Sequence, residues 1–385
     1  MKRFFAKIHL WLSVPLGILV SVICLTGAAL VFEQEITRAL DPQLYRVSPP
    51  VSMQPLPPSQ LVERIREQMP DSLELSTLQL SGNPQETCMV SFKGAGRRTL
   101  SVNPYTGEVN GWTKSPAFFQ TTRKLHRWLM DAPAAKGQKS VGKMVVGVTT
   151  LLLVVILVSG LVIWIPRTRK ALKLRLKVSC TNGWQRFWYD SHVALGFYTA
   201  LFLLVMALTG LTWSFGWYRK AAYSLFGGGT QQTTVAHTPA KGNPGQDVRG
   251  GHGGRNAETE RQFDYAVWDN VLDGLKTQYP VYKTITLNEQ SAQIAPDPHA
   301  SMRRMDTAQF DPHNGRIGEI VRYQDAPRSQ TLRGWFYAFH TGSWGGILTK
   351  IIYFLSALIG GTLPLTGYYL WLKKKTKYKH RPMKQ

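Results

Sequence analysis

One pattern of residues occurs twice and constrains the architecture of this chain more than any other feature. Residues 9–27 (HLWLSVPLGILVSVICLTG) and 192–210 (HVALGFYTALFLLVMALTG) each begin with a histidine, continue as an apolar run and end on Leu-Thr-Gly. The histidine and the final glycine are 18 residues apart in both, which is five turns of α-helix, so they share one helix face. At about 1.5 Å per residue, the two ends lie roughly 27 Å apart, nearly the thickness of a bilayer core.

Four apolar runs are long enough to cross a membrane. They are roughly residues 9–32, 144–165, 192–217 and 347–372. The sequence therefore predicts a membrane α-helical bundle with four transmembrane helices, surrounded by lipid and carrying two long water-exposed segments.

The formal net charge of +23 is spread unevenly along the chain. The N-terminus, the short middle loop and the C-terminal tail together hold 17 basic residues and one acid, Asp190. The long segments 33–140 and 219–344 are nearly balanced, with 13 basic against 10 acidic residues and 14 against 12. Basic residues concentrate on the cytoplasmic side of membrane proteins. The charge thus predicts cytoplasmic termini and periplasmic long segments, and it does not indicate nucleic-acid binding.

Each long segment has the pattern of a small α+β domain. A helical stretch is followed by alternating strands and a tight turn, SVNPYTGEV in 101–109 and QFDPHNGRI in 309–317. The second and fourth spans also match, because Lys143 to Gly160 and Lys350 to Gly367 are both 17 residues. The whole chain therefore predicts a two-fold internal repeat.

The predicted units follow in order along the chain. They are transmembrane helix 1 (1–33), a periplasmic domain with a surface helix (34–140), transmembrane helix 2 (141–166), a basic cytoplasmic loop (167–186), transmembrane helix 3 (187–218), a second periplasmic domain with a flexible loop at 226–257 (219–344), transmembrane helix 4 (345–373) and a basic cytoplasmic tail (374–385).

Four histidines form two predicted pairs at two depths. His9 and His192 fall at the cytoplasmic ends of their spans, and His126 and His340 each shortly precede a return span. Two imidazoles that face each other across a helical bundle are the ligands of a six-coordinate b-type haem. The sequence therefore predicts two haem b groups, each held by one histidine from either half. A polar anchor at the membrane interface is the alternative for each histidine.

Glycines accompany these histidines. Gly27 and Gly210 fall at the outer ends of their spans, and Gly160 and Gly367 at the inner ends. A missing side chain there leaves room for the outer and inner porphyrin, although close packing between helices explains such glycines equally well. A zinc site would need a third or fourth ligand, and no Glu or Cys accompanies either pair.

The motifs quoted above resemble the PepSY-associated transmembrane family. They are the histidine runs ending on Leu-Thr-Gly, His126 in LHRWL, His340 in FHTG, and the turns NPYTG and DPHNG. Within that family the chain resembles bacterial inner-membrane ferrisiderophore (ferrioxamine-type) reductases. The resemblance implies two small PepSY-like periplasmic domains, haem-bound electrons that move outward, and reduction of a ferric siderophore to release Fe(II).

Other partners and other functions remain open in the sequence. No dinucleotide fingerprint is present, so the electrons would come from quinol or from a separate flavin reductase. The side chains that could contact a siderophore are Arg303, Arg304, Arg333, Trp335 and His313. A siderophore or haem permease is one alternative function, and a PepSY-type regulatory membrane protein is another.

Overall fold

A computed structural model describes residues 1–70, 72–96, 98–135, 138–228, 263–299 and 304–379, with side chains as far as residue 373. Most of the predicted flexible loop 226–257 lies outside the described residues, as do Arg303 and the end of the basic tail.

The helices and strands follow the same order in the two halves of the chain: a long helix, an amphipathic helix, four strands, a histidine-bearing helix and a second long helix. The helices are α1 (Lys2–Val31), α2 (Glu33–Leu40), α3 (Pro58–Gln68), α4 (Ala117–Trp128), α5 (Val141–Trp164), α6 (Arg169–Arg175), α7 (Trp184–Ser214), α8 (Gly216–Leu225), α9 (Val267–Gln278), α10 (Arg328–Thr341) and α11 (Gly346–Lys379). The strands are β1 (Leu75–Ser81), β2 (Cys88–Phe92), β3 (Leu100–Val102), β4 (Val109–Trp112), β5 (Thr284–Leu287), β6 (Ser291–Ala295), β7 (Asp306–Phe310) and β8 (Ile317–Val321).

Four helices of the described chain are long and apolar enough to cross a membrane, as the sequence predicted. They are α1, α5, α7 and the helical stretch Ser343–Lys373, which includes most of α11. Helices α1 and α7 each pack against both α5 and α11, so the four helices form a closed ring. Large apolar side chains such as Ile18, Leu201 and Leu348 are exposed on its outside, as expected for a surface in contact with lipid.

The strands of both long segments form one eight-stranded antiparallel sheet in the order β4-β3-β2-β1-β5-β6-β7-β8. The sequence predicts two small domains, whereas in the structure β1 pairs with β5, for example at Leu78 and Leu287, and the two segments share one apolar core. Pairing satisfies the backbone groups of two strands that would otherwise be exposed edges. Helices α3 and α9 contribute to this core and are linked where Asp269 accepts hydrogen bonds from Ser59.

The histidine-bearing helices α4 and α10 lie between the sheet and the bundle. Helix α4 packs against α1 and α5, and α10 packs against α7. An ion pair reinforces the position of α4, because its Arg123 pairs with Glu33. A second ion pair, between Lys350 of α11 and Glu35 of α2, joins the two halves of the chain. Each histidine-bearing helix is therefore held against the long helix of its own half.

Candidate functional site

Two helices from different halves bring His126 and His340 face to face. Their ring centroids are 6.3 Å apart, with an angle of 48° between the ring planes. The indole of Trp213 packs against His340 at a centroid distance of 5.2 Å. These two histidines form the outer pair, on the sheet side of the bundle.

The other two histidines lie on the long helices α1 and α7, near the opposite end of the bundle. His9 of α1 and His192 of α7 both line a cavity of about 460 Å³ between the four long helices. Its other walls are mostly apolar, and the volume falls in the range of about 300–1,000 Å³ that is typical of ligand pockets. These two histidines form the inner pair.

Every one of the four imidazoles is held through Nδ1 by the neighbouring long helix. Nδ1 of His9 lies 3.0 Å from the carbonyl oxygen of Ile156, and that of His126 lies 2.9 Å from the carbonyl oxygen of Ile23. Nδ1 of His340 lies 2.9 Å from the carbonyl oxygen of Met206. Because a carbonyl oxygen only accepts, Nδ1 donates its proton and Nε2 keeps a lone pair for a metal.

A hydroxyl group stands beside each of these contacts. It belongs to Ser159 at 3.2 Å from Nδ1 of His9, Thr26 at 3.2 Å from that of His126, Thr209 at 3.3 Å from that of His340 and Thr366 at 2.8 Å from that of His192. Each hydroxyl donates to a carbonyl of its own helix, so its oxygen is oriented to accept from the imidazole. The backbone of Leu363 also bonds to His192.

The residue after each hydroxyl is a glycine, and the imidazole lies against it. A Cβ added at Gly27 would lie 3.1 Å from Cε1 of His126, and one at Gly210 would lie 3.0 Å from Cε1 of His340. The corresponding distance is 3.2 Å from Gly160 to His9 and 3.6 Å from Gly367 to His192. The sequence predicts that this space holds porphyrin, whereas in the structure the imidazole ring itself occupies it.

The same local pattern therefore recurs four times, and we call it the histidine cradle. It consists of a backbone carbonyl, a Ser or Thr three residues later, and a Gly directly after that. The four cradles are Ile23-Thr26-Gly27, Ile156-Ser159-Gly160, Met206-Thr209-Gly210 and Leu363-Thr366-Gly367. The glycines are predicted site residues, whereas the hydroxyls are not, although a Ser or Thr precedes each glycine in the sequence.

Burial keeps the outer histidines neutral. Desolvation lowers the pKa of His126 to about 4 and holds the pKa of His340 below its ordinary value of 6.5. The nearby His340 and Arg127 lower the pKa of His126 further, while its hydrogen bond to Ile23 opposes the shift. Both imidazoles are thus in the form that binds metals near neutral pH.

The donor set at each pair consists of imidazole nitrogens. Within the part of the chain that the structure describes, no three His, Cys, Asp or Glu side chains cluster as metal ligands. Two opposed nitrogens fit a metal whose remaining ligands come from a planar cofactor, whereas a structural zinc ion takes four protein ligands.

Three of the weaker sequence candidates lie on α10 or just before β7. Arg333 and Trp335 are exposed on α10, the helix of His340, and Trp335 stacks on Phe339 at 5.5 Å. Arg304 is exposed, and Tyr323 interacts with both Arg304 and Trp335. His313 is also exposed, in the turn beyond the far end of β7 and roughly 17 Å from where that strand begins. The structure thus groups Arg304 with Trp335 and places His313 apart from them.

Comparison with known proteins identifies the family alone. No curated protein matches the chain. The family model of the PepSY-associated TM region matches residues 6–374, nearly the whole chain, and this membrane protein therefore belongs to the PepSY-associated transmembrane family.

Proposed function

We propose that this protein is a di-haem electron carrier that reduces a ferric siderophore. One b-type haem would be held by the outer pair and a second by the inner pair. The substrate would dock on the sheet side, and Fe(II) would be released there.

The spacing of the outer pair is the observation that supports this proposal best. A metal–imidazole bond is about 2 Å long, and the centre of the ring lies about 1 Å beyond the nitrogen. Two imidazoles on opposite sides of one metal ion therefore have centroids about 6 Å apart. The centroids of His126 and His340 are 6.3 Å apart, and Nδ1 of each ring is hydrogen-bonded, so Nε2 is the nitrogen left to bind a metal.

The inner pair supports the proposal through its cavity. An apolar space of about 460 Å³ with a histidine from either half suits a large, flat and mostly apolar cofactor. Gly160 and Gly367 let the two imidazoles lie close against α5 and α11.

Bound haem would supply a one-electron Fe(III)/Fe(II) couple. His126 and His340 would hold the outer haem, and His9 and His192 the inner one, so the chemistry supplied would be electron transfer rather than oxygen binding. The cradles fix the tautomer and the orientation of each ring, and hydrogen bonds of this kind also raise the basicity of a ligand. Between the two pairs, Val20, Cys24, Leu157 and Leu203 form a buried apolar layer.

The substrate follows from the chemistry of iron. One electron converts siderophore-bound Fe(III) to Fe(II), whose lower charge weakens its bonds to hard oxygen donors. Arg304, Arg333 and Trp335 lie on the side of the outer pair and would contact the siderophore. The electron would come from quinol or from a separate flavin reductase.

The charge asymmetry supports an orientation in the bacterial inner membrane. Helix α6 and both termini carry the basic residues, so they would face the cytoplasm. The sheet would then lie in the periplasm, and electrons would move from the inner to the outer pair.

Reduction can be tested with the purified full chain in lipid vesicles. After reduction with dithionite and removal of the excess, a ferric hydroxamate siderophore is added together with a ferrous chelator. We expect the reduced haem spectrum to reoxidise while one Fe(II) appears per electron lost. Gallium-loaded siderophore, which accepts no electron, is the control. Reoxidation at the same slow rate with iron and with gallium would contradict the function and would leave a permease or a regulatory protein as the alternatives.

A further inference from the structure

The inner cavity has a positively charged side chain at the end that lies next to the basic helix α6. Among the described residues that line the cavity, Arg175 is the one Lys or Arg side chain, and no Asp or Glu lines it. The guanidinium is half-buried and lies at the end of α6. An apolar cavity with one cationic end matches a ligand that is apolar over most of its surface and anionic at one edge.

Contacts with α5 hold this guanidinium in place. Nη1 of Arg175 donates to the carbonyl oxygen of Ile163 at 3.0 Å and to that of Trp164. Lys2 donates to the carbonyl oxygen of Ile165 at the same helix end. Cations are favourable at a helix C-terminus, so capping of α5 explains part of this arrangement. It does not explain why Arg175 also lines the cavity.

The buried carboxylate of Asp190 is paired with another arginine. Asp190, two residues before His192, is buried and accepts hydrogen bonds from Arg186 at 2.8 Å and from the backbone of Ser179. Its charge is therefore compensated by Arg186, and the charge of Arg175 is left for a ligand.

A second donor lies beside Arg175 without an acceptor. Nε1 of Trp164 is buried, and no hydrogen-bond partner is recorded for it among the described residues. The indole lines the cavity and stacks flat on Phe197, with centroids 3.6 Å apart. Buried donors are nearly always satisfied in folded proteins, so an unpaired one calls for an acceptor that is missing.

We infer that this end of the cavity, formed by Arg175 and Trp164, binds the carboxylates of the inner porphyrin. This inference rests on the proposed function, since it assigns the orientation of the cofactor there. The propionate edge would face the basic side of the protein, and the apolar edge would point toward the buried layer at Leu157 and Leu203.

The test compares haem b with its dimethyl ester, in which both carboxylates are uncharged. The full chain with His340→Ala, produced without haem, is titrated with each compound and binding is followed by absorbance. We expect haem b to bind at least about tenfold more tightly than the ester, because hydrogen bonds to a charged group contribute more than neutral ones. Arg175→Gln should abolish that preference without weakening the ester, and Trp164→Phe should reduce it.

The controls separate this inference from the function on which it rests. Lys173→Gln removes a charge from the same helix at an exposed position that does not line the cavity, so the preference should persist. An unchanged preference in Arg175→Gln would overturn the inference, as would equal weakening of both compounds, which would indicate damage to the helix cap. Both outcomes leave haem binding standing. Failure of both compounds to bind would overturn the inner haem as well.

Discussion

Replacing Gly210 by alanine should disturb the outer pair, whereas replacing Gly367 should not. At Gly210 the new Cβ would lie 3.0 Å from Cε1 and 3.5 Å from Nδ1 of His340. At Gly367 it would lie 3.6 Å from Cε1 of His192, which is an ordinary van der Waals contact. The two substitutions are chemically identical, and both are in long helices next to a histidine, so each serves as the control for the other.

The size of the effect follows from the contacts of His340. Its ring must move by about 0.4 Å or more to restore a normal contact with the new methyl group. The same ring is held at 2.9 Å from the carbonyl oxygen of Met206 and faces His126 at 6.3 Å, so the movement distorts both contacts. Overpacking of this kind costs about 1–3 kcal/mol, or roughly 5- to 150-fold in the dissociation constant of the outer haem. In Gly367→Ala the methyl group fits, and alanine favours the helix by about 1 kcal/mol over glycine.

The assay is the rate of haem loss from each purified variant to an excess of apomyoglobin, together with the thermal unfolding midpoint. We expect Gly210→Ala to lose one of its two haems faster than the parent protein and to retain the other. Gly367→Ala should lose neither haem faster and should unfold at the same or a higher temperature. Equal behaviour of the two variants, or greater damage from Gly367→Ala, would refute the idea that the glycines seat the imidazoles.

Three further predictions address the cradle, the sheet and the orientation in the membrane. Thr209→Val removes the hydroxyl beside Nδ1 of His340. In a redox titration it should raise the midpoint potential of one haem, because a less basic ligand stabilises Fe(III) less. The control Thr150→Val loses only a hydrogen bond to Val146 in its own helix and should leave both potentials unchanged. Leu287→Ala at the buried junction of β5 with β1 should lower the free energy of unfolding by about 2–5 kcal/mol, whereas Thr286→Ala on the other face should lower it much less. In scanning calorimetry, Leu287→Ala should lower the midpoint of a single cooperative transition of the whole sheet. Separate transitions for the two segments would contradict a shared core. An impermeant maleimide should label Cys180, the exposed cysteine, in inside-out vesicles and not in intact spheroplasts. Cys88 should stay unlabelled in both, because it is buried and burial raises the pKa of its thiol to about 12. Labelling of Cys180 in spheroplasts would reverse the proposed orientation.

The sequence predicted those features that depend on local pattern. The four spans could be read from hydropathy alone, since a helix must satisfy its own backbone in lipid. The equal spacing from His9 to Gly27 and from His192 to Gly210 placed a histidine and a glycine on one face of each helix. Gly27 and Gly210 therefore had to lie at the depth of the outer histidine pair. In the structure Gly27 does lie against the imidazole of His126, and Gly210 against that of His340.

The features that the sequence did not reveal depend on contacts between distant residues. The pairing of Leu78 with Leu287 joins strands that are more than 200 residues apart, and nothing in either strand specifies that partner. The role of Thr26 and Thr209 depends on where α4 and α10 place His126 and His340, which cannot be read from the periodicity of α1 or α7. Arg175 reaches the cavity only because α6 folds back over the end of α5.

The central claim is that the protein binds two haems, one at each end of the bundle, and that each haem is held by one imidazole from either half of the chain. Haem content per chain, measured by the pyridine haemochrome spectrum on the purified full chain, tests it most directly in the parent protein and in His9→Ala, His340→Ala and His313→Ala. The account predicts two haems per chain in the parent and in His313→Ala, and one in each of the other two variants. A parent protein without haem, or variants His9→Ala and His340→Ala that both keep two haems, would contradict it.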